Sequence, residues 1–160
     1  MPRLILLLVC IGLVLASCDA SDSTGTPRFA ILLVDESVGE AAPPDAERIP
    51  ASATSTDIPV AMWLKREGGI VGPYVADARV IAAPDGQPAV EFTLTPEGRE
   101  RFAALTRTNI GRRLAVVVNG VIVASSIIGA EMPDGRGMLS ANYTEAEAQE
   151  LAVELTETSR

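Results

Sequence analysis

The stretch Leu114–Ile127, LAVVVNGVIVASSI, decides the fold. Two apolar runs, Leu114 to Val118 and Val121 to Ile127, flank Asn119-Gly120. That pair suits a type I′ turn because both central residues must take positive φ, and the turn's twist matches that of the strands it joins. The stretch therefore predicts a β-hairpin. Upstream, Asp77–Ala83 and Ala89–Leu94 are strand-length runs separated by Pro84-Asp85-Gly86-Gln87, a turn cluster. In the second run Val90, Phe92 and Leu94 alternate with Glu91 and Thr93, which gives one buried face and one wet face. Thr95-Pro96-Glu97 then opens a helix, with Thr95 as N-cap, proline in the first turn and an acid near the positive end. Phe102 and Leu105 fall on its buried face, and Asn109 to Gly111 ends it.

Beyond the hairpin, a loop around Pro133 to Gly137 leads to a short strand at Met138–Ala141. Thr144 with Glu147 three residues on forms a capping box for a last helix, whose apolar stripe is Ala148, Leu151, Ala152 and Leu155. Toward the N-terminus, Phe29–Val34 (FAILLV) is a continuous apolar run of strand length, as in a central strand. Val60–Lys65 is a further short strand carrying Trp63. Between them, Gly39–Pro59 contains Pro43, Pro44, Pro50 and Pro59. Proline at this density opposes a helix or a paired strand, so residues 39–59 are expected to form a long loop. The sum is an α+β domain over residues 28–160: a mostly antiparallel sheet, two helices packed on one face, in a ferredoxin-like arrangement.

The first residues carry an address. Arg3 precedes Leu4–Leu15, an apolar run interrupted only by Gly12. Twelve residues fall short of the roughly 20 needed to cross a bilayer core, but they suit the apolar centre of a secretion signal. The run ends in Leu15-Ala16-Ser17-Cys18, which matches the bacterial lipobox. Residues 1–17 are thus expected to be a lipoprotein signal, Cys18 the lipidated residue and 18–27 a polar tether. Two or more acyl chains hold stably where one holds marginally. Asp19 resembles the signal that retains some lipoproteins on the inner membrane.

Composition narrows the chemistry. Cys10 leaves with the signal and Cys18 is alkylated, so the mature domain has neither free thiol nor disulfide; the chain has no histidine. Ser–His or Cys–His catalysis is excluded, and no metal site or cofactor is expected. Loss of Arg3 leaves 12 Lys and Arg residues against 21 Asp and Glu, a net charge of −9. That charge disfavours nucleic acid and leaves membrane attachment to the acyl chains.

From about Val71 to Leu155 the chain resembles the head of the first periplasmic domain of the SecD/SecDF export proteins. The resemblance rests on Gly72–Ala78 (GPYVADA), Val90–Phe102 (VEFTLTPEGRERF), Thr106–Ala115 (TRTNIGRRLA), Val117–Ile128 (VVNGVIVASSII), Gly135–Leu139 (GRGML) and Tyr143–Leu151 (YTEAEAQEL). Ser126 departs from it, since the family usually has a proline after the hairpin. The resemblance implies a contact surface for exported polypeptides or a Sec-type envelope protein. With no further apolar span in the sequence, a proton-driven motor is not expected.

Lys65 is a candidate base for a serine, against the simpler expectation of a solvated lysine on a strand. Glu91, Glu97, Glu100 and Glu131 are candidates for a carboxylate pair, against plain surface solvation. Gly135-Arg136-Gly137 lacks the longer pattern of a phosphate loop and is read as a turn. Asp134-Gly135 lacks the acidic spacing of a calcium loop. Met62 and Trp63 form either core packing, which is preferred, or a contact patch. The reading is therefore a non-enzymatic, membrane-anchored envelope lipoprotein that binds exported polypeptides or another envelope protein. The alternatives are a small-molecule carrier or sensor and, behind it, a carboxylate-dependent hydrolase.

Overall fold

Phe29, Ile31 and Leu33 point to one side of the first strand, and Ala30, Leu32 and Val34 to the other; all six are buried. Each set enters a different core. A strand apolar on both faces needs cover on both, and this requirement shapes the molecule. In the computed structural model, residues 28–36, 43–54 and 58–157 are described. They form β1 (Phe29–Val34), β2 (Ala46–Pro50), β3 (Ala61–Val71), β4 (Val75–Ala82), β5 (Pro88–Leu94), α1 (Pro96–Thr108), β6 (Arg113–Val118), β7 (Val121–Ile127), β8 (Arg136–Ser140) and α2 (Glu145–Glu157).

The strands form two antiparallel sheets, β2-β3-β1-β6-β7 and β4-β5-β8. The mixed α+β class and the antiparallel pairing agree with expectation, but the single ferredoxin-like sheet does not: the strands divide. A lone sheet with helices on one face would leave Ala30, Leu32 and Val34 wet. Instead the five-stranded sheet curls until its two edges touch. Just beyond β2, Ala51 bridges Ile122 in β7, and the Ser52 N–H donates to the Ile122 carbonyl at 2.8 Å. Inside the curl, Leu32, Leu64, Val117 and Ile122 form the smaller core. Its outer face meets the second sheet and both helices in the larger core. There Phe29 and Phe92 pack edge-to-face, with ring centroids 6.1 Å apart. α2 lies on β4 and β5, whereas α1 bridges β5 and β3.

The expected loop at 39–59 is also corrected. Residues 46–50 pair with β3 in register from Ala46↔Lys65 to Pro50↔Ala61. Proline is tolerated here because β2 is an edge strand and Pro50 is its last residue. β3 is correspondingly longer than Val60–Lys65. Local predictions fare better. Asn119 and Gly120 have φ of 48° and 79°, the Thr95 hydroxyl accepts from the Gly98 N–H at 3.2 Å, and Thr144 and Glu147 form the capping box.

Candidate functional site

β7 is an edge of the first sheet and β8 an edge of the second. Where the edges approach without pairing, an apolar cleft of about 150 Å³ opens between them. Phe92, Phe102 and Leu114 form its base, and Ser126 and Leu139 lie along its walls. Its rim is Ile127, Met132 and Met138, which are 58%, 38% and 46% exposed. Large apolar side chains left this exposed around one depression make it a candidate contact surface. The two methionines are unbranched and polarizable, so they can mould to different apolar shapes.

The sequence builds this cleft by two local devices. Val123 is an extra residue in β7, because pairing passes from Val116↔Ala124 to Val117↔Ile122; such a bulge bends the strand and raises its twist. Ser126 keeps the ladder running to Arg113↔Ile127, which carries Ile127 out to the rim. The opposite wall is fixed from α1. The Thr106 hydroxyl, fully buried, donates to the Phe102 carbonyl at 2.8 Å and accepts the Met132 N–H at 3.0 Å. Arg107 adds an ion pair to Glu131 at 3.4 Å.

The residues singled out from the sequence do not converge. Glu91 is paired with Arg79 on the second sheet, Glu97 with Arg101 on α1, and Glu131 with Arg107; Glu100 is exposed on α1. They assemble no carboxylate pair across a cleft. Lys65 is not the freely solvated side chain expected. Its ammonium lies 3.0 Å from Asp35 and 3.3 Å from Asp45, and the Asp35 side chain is only 6% exposed. The bonds it donates to Asp35, then to Asp45, raise the lysine's pKa above 10.5, the opposite of what a neutral base requires. Gly135, at φ 61°, turns the chain into β8, so Gly135-Arg136-Gly137 is a turn and strand start. Trp63, expected in the core, is half-buried on β3 opposite Arg48, while Met62 packs on the smaller core. Among the described residues, no group of three or more Asp, Glu, Cys or His could hold a metal. Cys18, Asp19, the signal 1–17 and the tether to Pro27 lie outside the described residues. The cleft escapes sequence reading because its walls come from strands that never pair: Ile127 and Met138 each read as part of a separate strand, and nothing local brings them together.

These features define a two-sheet α+β module with an apolar cleft between sheet edges. Residues 46–159 match the family described as SecDF, P1 head subdomain, and the chain belongs to it. The match takes in β2 and β3, upstream of the segment whose resemblance the sequence shows. The protein translocase subunit SecDF of Thermus thermophilus is 36% identical over 86 residues, 54% of this chain and 12% of that protein. The protein translocase subunit SecD of Aquifex aeolicus is 43% identical over 68 residues, 42% of this chain and 13% of that protein. The chain thus spans a small fraction of these relatives. A solved structure described as a membrane component SecDF that enhances protein export shares the fold, with TM-score 0.63 and 24% identity over 84% of this chain and 64% of that one. SecDF in a super-membrane-facing form aligns with TM-score 0.58 and 23% identity, over 84% of this chain and 19% of that one.

Proposed function

We propose that this chain is a non-enzymatic lipoprotein, anchored to a bacterial envelope membrane through acyl chains on Cys18, whose head domain holds apolar stretches of exported polypeptides. The carrying observation is the apolar cleft where β7 and β8 approach without pairing to each other, rimmed by Ile127, Met132 and Met138. An extended chain can add its backbone to an exposed strand edge while its apolar side chains enter the adjoining pocket. The relatives' description as translocase subunits supports an accessory role in export. Among the described residues no helix is long and apolar enough to cross a membrane, and the lipobox supplies the attachment. Asp19 favours retention at the inner membrane.

The test is photocrosslinking in cells from Ile127 and Met138, which should capture exported chains; crosslinkers at both positions that trap none would defeat the reading. Mass spectrometry should find Cys18 acylated, and Cys18→Ser should release the protein from membranes. This cleft does not favour the carrier alternative, because its volume of about 150 Å³ is below the roughly 300–1,000 Å³ of ordinary small-molecule pockets.

A further inference from the structure

A second depression lies at the other end of β7, where the hairpin tip overhangs α2. It encloses about 290 Å³. Its floor is apolar: Val118, Val123 and Leu151 are buried there, with Tyr143, whose hydroxyl donates to the Val123 carbonyl at 3.3 Å. One wall carries Glu147, Glu150 and Glu154 from α2. These residues are spaced three and four apart, so they line one helix face as neighbours.

This wall is acidic along its length. α2 has five glutamates and no lysine or arginine. Like charges at such spacing disfavour the helix, and Glu154 and Glu157 also stand near the negative end of its dipole. Several acids elsewhere are matched: Glu47, Glu91, Glu97 and Glu131 each face an arginine. Among the described residues no cation forms an ion pair with Glu147, Glu150 or Glu154. Glu147 is engaged by its cap, accepting from the Thr144 N–H at 2.7 Å. Like-charge cost along an apolar groove persists without an internal counter-ion, and a cationic occupant with apolar side chains would relieve it.

We propose that the groove between the β6–β7 tip and α2 docks a basic amphipathic polypeptide segment, its apolar side chains over Val118 and Leu151 and its cations along Glu147, Glu150 and Glu154. This surface is distinct from the apolar cleft and does not rest on the export reading.

The test measures binding of a fluorescent peptide of alternating leucine and arginine to the full chain in non-ionic detergent, with a leucine–glutamate peptide as control. The arginine peptide should bind, the glutamate peptide should not, and affinity should fall steeply with salt. Glu150→Gln with Glu154→Gln should weaken binding at least tenfold. Glu67→Gln with Glu100→Gln removes the same charge elsewhere and should change it less than twofold. Equal loss in both double variants, no loss in the first, or equal binding of the two peptides would overturn the proposal. Loss through Met138→Asp alone would overturn it too, by placing the peptide in the cleft. A neutral leucine–serine peptide that binds with sensitivity only to Met138→Asp separates the export reading from this one.

Discussion

Phe92 lies directly across the ladder from Gly137, and its ring occupies the space that a β-carbon on Gly137 would need. The aromatic ring covers the strand where the glycine leaves it bare, closing the base of the cleft between the sheets. Glycine in a strand interior often marks such a close approach.

Gly137→Ala should therefore destabilise the domain by overpacking, by about 1–3 kcal/mol. Both Phe92 and the backbone of β8 are held within the sheet, so neither can yield cheaply. Urea unfolding of the variant should show a lowered midpoint with an unchanged slope. A variant as stable as the parent would mean that the ring swings aside freely.

Thr106 connects helix stability to the cleft wall. Thr106→Val keeps the side chain's shape but removes both its bond to the Phe102 carbonyl and the acceptor for the Met132 N–H. Leaving a buried polar group without its partner costs about 1–3 kcal/mol. The Met132 amide should then exchange with solvent faster relative to amides in β5, as read by hydrogen exchange. Uniform acceleration throughout the domain would instead indicate global destabilisation.

The cap of α2 gives a pH dependence with a definite sign. The Glu147 carboxylate is held below its ordinary pKa of 4.5 by bonds from the Thr144 backbone and then its hydroxyl. A depressed folded-state pKa contributes stability that is present above the unfolded value and lost as pH falls through the folded one. Parent and Glu147→Gln should thus differ near neutrality and converge in acid below pH 4. A constant difference from pH 7 to pH 3 would contradict the assignment. Thr144→Ala should cost about 0.5–2 kcal/mol, as for other caps.

How much of this architecture is legible in the sequence depends on range. Asn119-Gly120, Thr95-Pro96 and Thr144 with Glu147 act within a few residues, so their chemistry can be read locally, and the alternation of Val90, Phe92 and Leu94 reports its own burial. The division into two sheets depends on partners far apart in sequence. FAILLV announces a strand buried on both faces but does not say that Ile122 and Ala51 will close the second face. Pro50 is misread for the same reason, since only the sheet order reveals that it ends an edge strand. The cleft belongs to this long-range class: Leu139 and Ser126 meet across a gap that no local pattern encodes.

Lys65 is the clearest case of a side chain whose role only the fold defines, and it supports a last prediction. It joins Asp35, after β1, to Asp45, before β2, so a single ammonium braces both approaches to the edge of the curled sheet. Lys65→Met removes a cationic partner from a carboxylate that is largely withdrawn from water, which is destabilising because its charge is then less well compensated. Asp35→Asn in the same background should restore part of the loss, and the non-additivity of the double-mutant cycle measures the coupling. The pH sign is opposite to that of Glu147. The lysine's folded-state pKa is raised, so its contribution is complete below its ordinary value of 10.5 and is lost as pH rises through the folded value. The stability gap between parent and Lys65→Met should stay level from pH 7 to pH 9 and close in stronger base. Additive single variants, or a gap that widens above pH 10.5, would show that the ammonium does not brace β1 and β2 in solution.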